Sequence, residues 1–97
     1  MPVYITLIKY TQQGIQNMKD SPSRLEQAKA AIRAAGGVMH AFYLTMGQYD
    51  AVSISEAPSD EVYAATMLAI ASAGAISTET LRAFTEDEYR EIVAAIP

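Results

Sequence analysis

The chain has 97 residues, 51% of them hydrophobic and 19% charged, with a formal net charge of −4 at pH 7 and no cysteine. That length supports one core, hence one domain over residues 1–97, and the lack of cysteine excludes disulfides, thiolate metal sites and a cysteine nucleophile. Scattered acids without a basic stripe argue against a nucleic-acid partner, and no apolar run longer than Met67 to Ala71 argues against a membrane span, which needs ~20 residues.

Met1-Pro2-Val3-Tyr4 leads straight into strand-like sequence without an apolar leader, so a cytoplasmic location is expected. Val3 to Tyr10 alternates Val3, Ile5 and Leu7 with Tyr4, Thr6 and Ile8, a strand apolar on both faces and suited to the centre of a sheet. Thr11 to Met18 fits a short helical turn capped by Thr11, although Gly14 weakens it. At Ser21-Pro22-Ser23-Arg24-Leu25-Glu26 a helix starts, with Pro22 suited to the first turn and Ser23 with Glu26 forming a capping box. Leu25, Ala28, Ile32 and Ala35 make its apolar stripe, with Arg24, Lys29 and Arg33 largely outside it, and Gly36-Gly37 closes it.

Val38 to Met46 and Ala51 to Ser55 read as two strands joined by Gly47-Gln48-Tyr49-Asp50, an antiparallel hairpin. Ser59, Asp60 and Glu61 then open a helix that runs to about Ser72 and stops at Gly74. Because it is apolar nearly all round, this helix is expected to pack on more than one side. Ile76 to Phe84 is a fourth strand, and Thr85-Glu86-Asp87-Glu88 is a capping box for a last helix carrying Tyr89, Ile92, Val93 and Ile96 on one face. The predicted order is βαββαβ followed by a helix. Split βαβ units put the first and third strands in the centre of one antiparallel sheet with both crossover helices on one face. The other face must meet solvent, the last helix or a second subunit, and its apolar content favours a second subunit.

From Gly47-Gln48-Tyr49-Asp50 outward, the sequence resembles the GYD domain family, named for that Gly-x-Tyr-Asp tract. Tyr4 to Thr11, Ser21 to Arg24, Gly36-Gly37, Phe42 to Thr45, Ala57-Pro58 and Thr78 to Phe84 carry the likeness along nearly the whole chain. The resemblance implies an α+β, ferredoxin-like βαββαβ sandwich with a four-stranded antiparallel sheet and an extra C-terminal helix. It is also similar in architecture to dimeric α/β barrels, in which two sheets face each other and sometimes enclose a small-molecule site. Fold-level likeness does not assign a reaction.

The candidate ligand-binding residues are Lys9, His40, Tyr43, Tyr49, Asp50 and Arg82. In the hairpin, Gly47 permits positive φ, the Tyr49 phenol donates or accepts, and Asp50 accepts, so the tract either holds a compact polar ligand or serves the turn itself. Lys9 sits near a strand end, as a ligand contact or a solvated cap of the sheet. His40, the single histidine, and Tyr43 have opposite parity and face opposite sides unless the strand carries a bulge. Arg82 shares parity with Thr78 and Thr80, where it either binds a carboxylate or phosphate, pairs with a neighbouring Glu79, or stays solvated. Glu86, Asp87, Glu88 and Glu91 read as first-turn helix acids rather than a catalytic pair. Ser53 and Ser55 lack a nucleophile elbow, and there is no glycine-rich phosphate loop.

Two functions are compatible with these residues. One is a small-molecule binding or cofactor-independent enzyme module in an oligomer, its pocket lying between sheet and helices or inside a dimeric barrel. The other is a structural or regulatory oligomerisation module without catalytic activity. The first is preferred because the signature sets an aromatic beside an acid, and neither calls for a metal or a cofactor. A homo-oligomer, dimer or higher, is the expected state, with a small-molecule ligand, no nucleic acid and no membrane as further expectations.

Overall fold

The computed structural model describes all 97 residues. In chain order the elements are β1 (Val3–Tyr10), α1 (Gln12–Gln16), a 3-10 turn (Met18–Asp20), α2 (Ser21–Ala34), β2 (Val38–Leu44), β3 (Ala51–Glu56), α3 (Asp60–Ala71), β4 (Ile76–Ala83) and α4 (Glu86–Ala94). The strands form one antiparallel sheet in the order β2-β3-β1-β4, with β1 and β3 central as expected from split βαβ units. This is the ferredoxin-like α+β arrangement, with α4 as the addition.

Register sorts the side chains. Tyr4, Thr6 and Ile8 of β1 sit opposite Ser55, Ser53 and Ala51 of β3 and Arg82, Thr80 and Thr78 of β4, all on the side covered by α2 and α3. Val3, Ile5 and Leu7 sit opposite Glu56, Ile54 and Val52, and opposite Ala83, Leu81 and Glu79, on the side no helix covers. The core lies under the helices: Tyr4, Ile32, Ala57, Tyr63 and Met67 form one cluster, backed by Met39 and Ile70. Within it the Tyr4 and Tyr63 rings stack 4.2 Å apart and nearly parallel.

Local chemistry explains most element ends. Thr11 caps α1 by accepting from Gly14 N, Ser59 caps α3 by accepting from Val62 N, and Thr85 and Glu88 form both bonds of a capping box at α4. Gly14 is required by packing, since a Cβ there would lie 2.1 Å from the Ala75 carbonyl oxygen. Two expectations differ from the structure. α2 begins at Ser21, because the 3-10 turn feeds directly into it; Ser23 is therefore inside the helix and does not act as its cap. α3 buries Tyr63 and Met67 but leaves Leu68 73% exposed, because only the sheet and α2 flank it in a single chain. No helix is long and apolar enough to cross a membrane.

Candidate functional site

Across the uncovered face, the register stacks apolar rows: Ala41, Ile54, Ile5 and Leu81, then Tyr43, Val52 and Leu7, closed by Glu79. α4 does not shield them. It makes no extensive contact with the sheet, α2 or α3, and its Tyr89, Ile92, Val93 and Ile96 are all exposed. The chain exposes 6351 Å². A compact monomer of its 10.5 kDa mass exposes about 5400 Å² by area scaling. The excess of about 900 Å² is close to the ~800 Å² that each partner contributes to a stable protein interface.

Polar groups gather at the two ends of this face. At one end Lys9 Nζ lies 5.3 Å from the Tyr49 ring centroid, and the Tyr49 hydroxyl donates to Glu79 Oε2 at 2.7 Å. That donation to a carboxylate holds the Tyr49 phenol above its ordinary value. Gly47 adopts φ +147°, which lets the chain turn before Tyr49. Asp50 is tied to the backbone: its N–H donates to the Ile8 carbonyl at 2.8 Å and its Oδ2 accepts from Tyr10 N at 2.9 Å, which carries the β1–β3 pairing one residue past the strand. At the other end His40 Nε2 lies 2.8 Å from Glu56 Oε2. A register shift between Met39 and Ala41 supplies the bulge that strict alternation lacks, so His40 and Tyr43 share the uncovered face. Tyr43 stands between the two ends, 59% exposed and with no side-chain hydrogen bond.

Arg82 belongs to the other side of the sheet, with Thr78 and Thr80 as its parity required. Because β4 is an edge strand that α3 only partly roofs, a cleft of about 430 Å³ opens there, lined by Tyr4, Asp60, Tyr63, Thr78, Thr80 and Arg82 among others. Its polar atoms form two separate hydrogen-bonded groups, one around Asp60 and one around Thr6. The Tyr4 hydroxyl donates to Asp60 Oδ1 at 2.6 Å, Arg82 Nε lies 3.7 Å from the same oxygen, the Tyr63 hydroxyl meets Thr6 Oγ1 at 2.7 Å, and Thr6 meets Thr80 at 3.3 Å. Burial, then the bond to Asp60, pushes the Tyr4 phenol up to about 12. The Arg82 guanidinium also stacks over Phe84, 4.6 Å from the ring centroid.

A second hollow, a cavity of about 300 Å³, lies deeper between α2, α3 and the sheet. Ile8, Phe42, Met67, Ile70 and Ile76 make its walls, Ser53 and Tyr63 its floor, and Arg24 its rim. The structure thus brings Lys9 and Tyr49 together, brings His40 to the face of Tyr43, and separates Arg82 from all of them. Tyr4, Asp60 and Tyr63 at the cleft, and Arg24 and Ser53 at the cavity, were not singled out from the sequence as ligand contacts. Their one signal was parity: Tyr4, Thr6, Ser53 and Ser55 are polar residues on alternate positions of two central strands, a pattern that marks a half-polar buried face.

Comparison with known proteins agrees with this architecture. The sequence model of the GYD domain matches residues 4–93. A protein of Thermus thermophilus named glutamine synthetase and cystathionine beta-lyase binding protein is 33% identical over 84 residues, covering 86% of this chain and 88% of that one. The crystal structure of a protein from Thermus thermophilus superposes with a TM-score of 0.55 at 23% identity, over 88% of this chain and 95% of its own, which is a likeness of fold. With a family signature running from the first strand into the last helix and a relative of nearly matching length, the chain belongs to the GYD domain family.

Proposed function

We propose that this protein is a non-catalytic binding module: it self-associates through the uncovered sheet face and, as an assembly, holds another protein. The observation that carries this reading is the apolar sheet face left open beside an unpacked amphipathic α4, with about 900 Å² of surface beyond what a compact monomer exposes. A second copy is the occupant that fits, because a face with apolar centre rows and charged groups at both ends, Lys9 with Tyr49 and Glu79 at one and His40 with Glu56 at the other, can be self-complementary under two-fold symmetry. The name of the Thermus thermophilus relative supports the second half of the proposal, since that protein is described as binding glutamine synthetase and cystathionine beta-lyase. On this reading the preferred partners are metabolic enzymes and the place of work is the cytoplasm.

Of the two functions weighed from the sequence, this is the oligomerisation module, extended to a protein partner. Lys9, His40, Tyr43 and Tyr49 become interface residues rather than ligand contacts, and Asp50 shapes the hairpin beside them. The test is sedimentation of the pure protein followed by calorimetric titration with glutamine synthetase and cystathionine beta-lyase from its own source. A dimer or larger species that binds either enzyme is the expected result. A monomer at working concentrations ends the self-association half, and an oligomer inert toward both enzymes ends the partner half.

A further inference from the structure

The cavity between α2, α3 and the sheet lies on the helix-covered side, away from the proposed self-association face. Its volume is about 300 Å³ and fifteen of its nineteen lining residues are hydrophobic. It is a partly open hollow rather than a sealed void, so its apolar walls are accessible to a ligand. Apolar walls give water few partners, and apolar cavities half this size take up benzene. The volume is at the lower end of small-molecule sites.

Two polar features point to the kind of ligand. Ser53, only 2% exposed, lines the floor, and its hydroxyl takes part in none of the side-chain hydrogen bonds around it, in contrast to neighbouring Thr6 and Tyr63. At the rim, Arg24 has its guanidinium donating to the carbonyls of Asn17 at 2.9 Å and Gly14 at 3.3 Å. No carboxylate of the protein lies within ion-pair distance of it; Lys9, Lys19 and Arg33 are likewise without an acid, but only Arg24 of these lines the cavity. A guanidinium has five N–H donors, so several remain for an anion.

We propose that this cavity binds a small aromatic or branched aliphatic carboxylate, with its apolar body against Phe42, Met67 and Ile70, its carboxylate on Arg24 and any distal polar atom on Ser53. The site does not use the self-association face, and its test is read separately from that of the protein partner.

The experiment is an amide-resolved NMR titration of the full chain with indole-3-acetate, with uncharged indole as the comparison. Indole-3-acetate shifts resonances around Ile8, Phe42, Met67 and Ile70, leaves Ile54 and Leu81 on the open face unmoved, and binds about tenfold or more tighter than indole. Arg24→Gln keeps an amide donor but removes the charge; it weakens indole-3-acetate about tenfold and leaves indole unchanged. Ala28→Phe, which fills the cavity from α2, abolishes both. Equal affinity of acid and indole, shifts confined to the open face, or no shift at about 10 mM overturns the assignment, and each is read on the wild-type protein even where Ala28→Phe fails to fold.

Discussion

Asp50 lies in the signature tract, and its environment is that of a structural residue. One carboxylate oxygen replaces a strand carbonyl by accepting from Tyr10 N, so Asp50→Ala strands a partly buried N–H. We expect it to cost about 1–2 kcal/mol in denaturant unfolding, with oligomer binding to a partner retained once the chain is folded. Tyr4 carries a pH signature. Its phenol is held neutral up to about 12 in the fold, against the ordinary value of 10.0 in the unfolded chain. Above about pH 10 the unfolded state loses that proton first, so the stability contributed by neutral Tyr4 is complete below pH 10 and lost as pH rises to 12. Tyr4→Phe removes the titration, and chemical-denaturation midpoints between about pH 9 and 12 then fall less steeply. Both side chains were visible in the sequence; their partners, 40 and 56 residues away, were not.

Elements show where local rules suffice. Three of the caps read from sequence, Thr11, Ser59 and Thr85 with Glu88, are made as expected, because a cap needs only residues within three positions of itself. The backbone N–H of Thr85, then its hydroxyl, holds the Glu88 carboxyl below its ordinary range. Since the apolar face of α4 is exposed, Thr85→Ala should cost about 1 kcal/mol of local helix stability, seen as lost amide protection over residues 86–94 with little change in global unfolding. Gly14 is the opposite case. Its helix propensity is poor, but the approach of the chain entering β4 leaves no room for a methyl group, so Gly14→Ala must push α1 off the Ala75 carbonyl. Overpacking against backbone of this kind costs about 2–3 kcal/mol, measurable in the melting temperature.

At the scale of the molecule, the unpaired feature is the open sheet. Ile54 sits at the centre of that face and touches none of the clustered core. Ile54→Glu should therefore preserve the circular dichroism spectrum and convert the assembly to monomer in sedimentation, weakening association by about 3 kcal/mol or more through a buried unpaired charge. A variant that stays assembled at the wild-type size assigns the contact to another surface, with the exposed side of α3 around Leu68 next in line. Elongation fits an arm-like α4: the chain measures 52 Å in its longest dimension and only 18 Å in its shortest.

The amino-acid order by itself determined the types and succession of elements, the central placement of β1 and β3, and the family, because periodicity, caps and turn residues act over a few positions. It did not decide which side of the sheet is open. β1 is apolar on both faces, so alternation distinguishes the two sides without saying which one the helices cover. Nor could it place the bulge at His40, since one extra residue in a strand leaves no composition signal yet moves His40 to the face of Tyr43. The cavity at Arg24 and Ser53 and the cleft at Tyr4 and Asp60 arise from how α2 and α3 lie across the sheet. That placement is set by packing among residues far apart in the chain, and so only the tertiary structure could supply it.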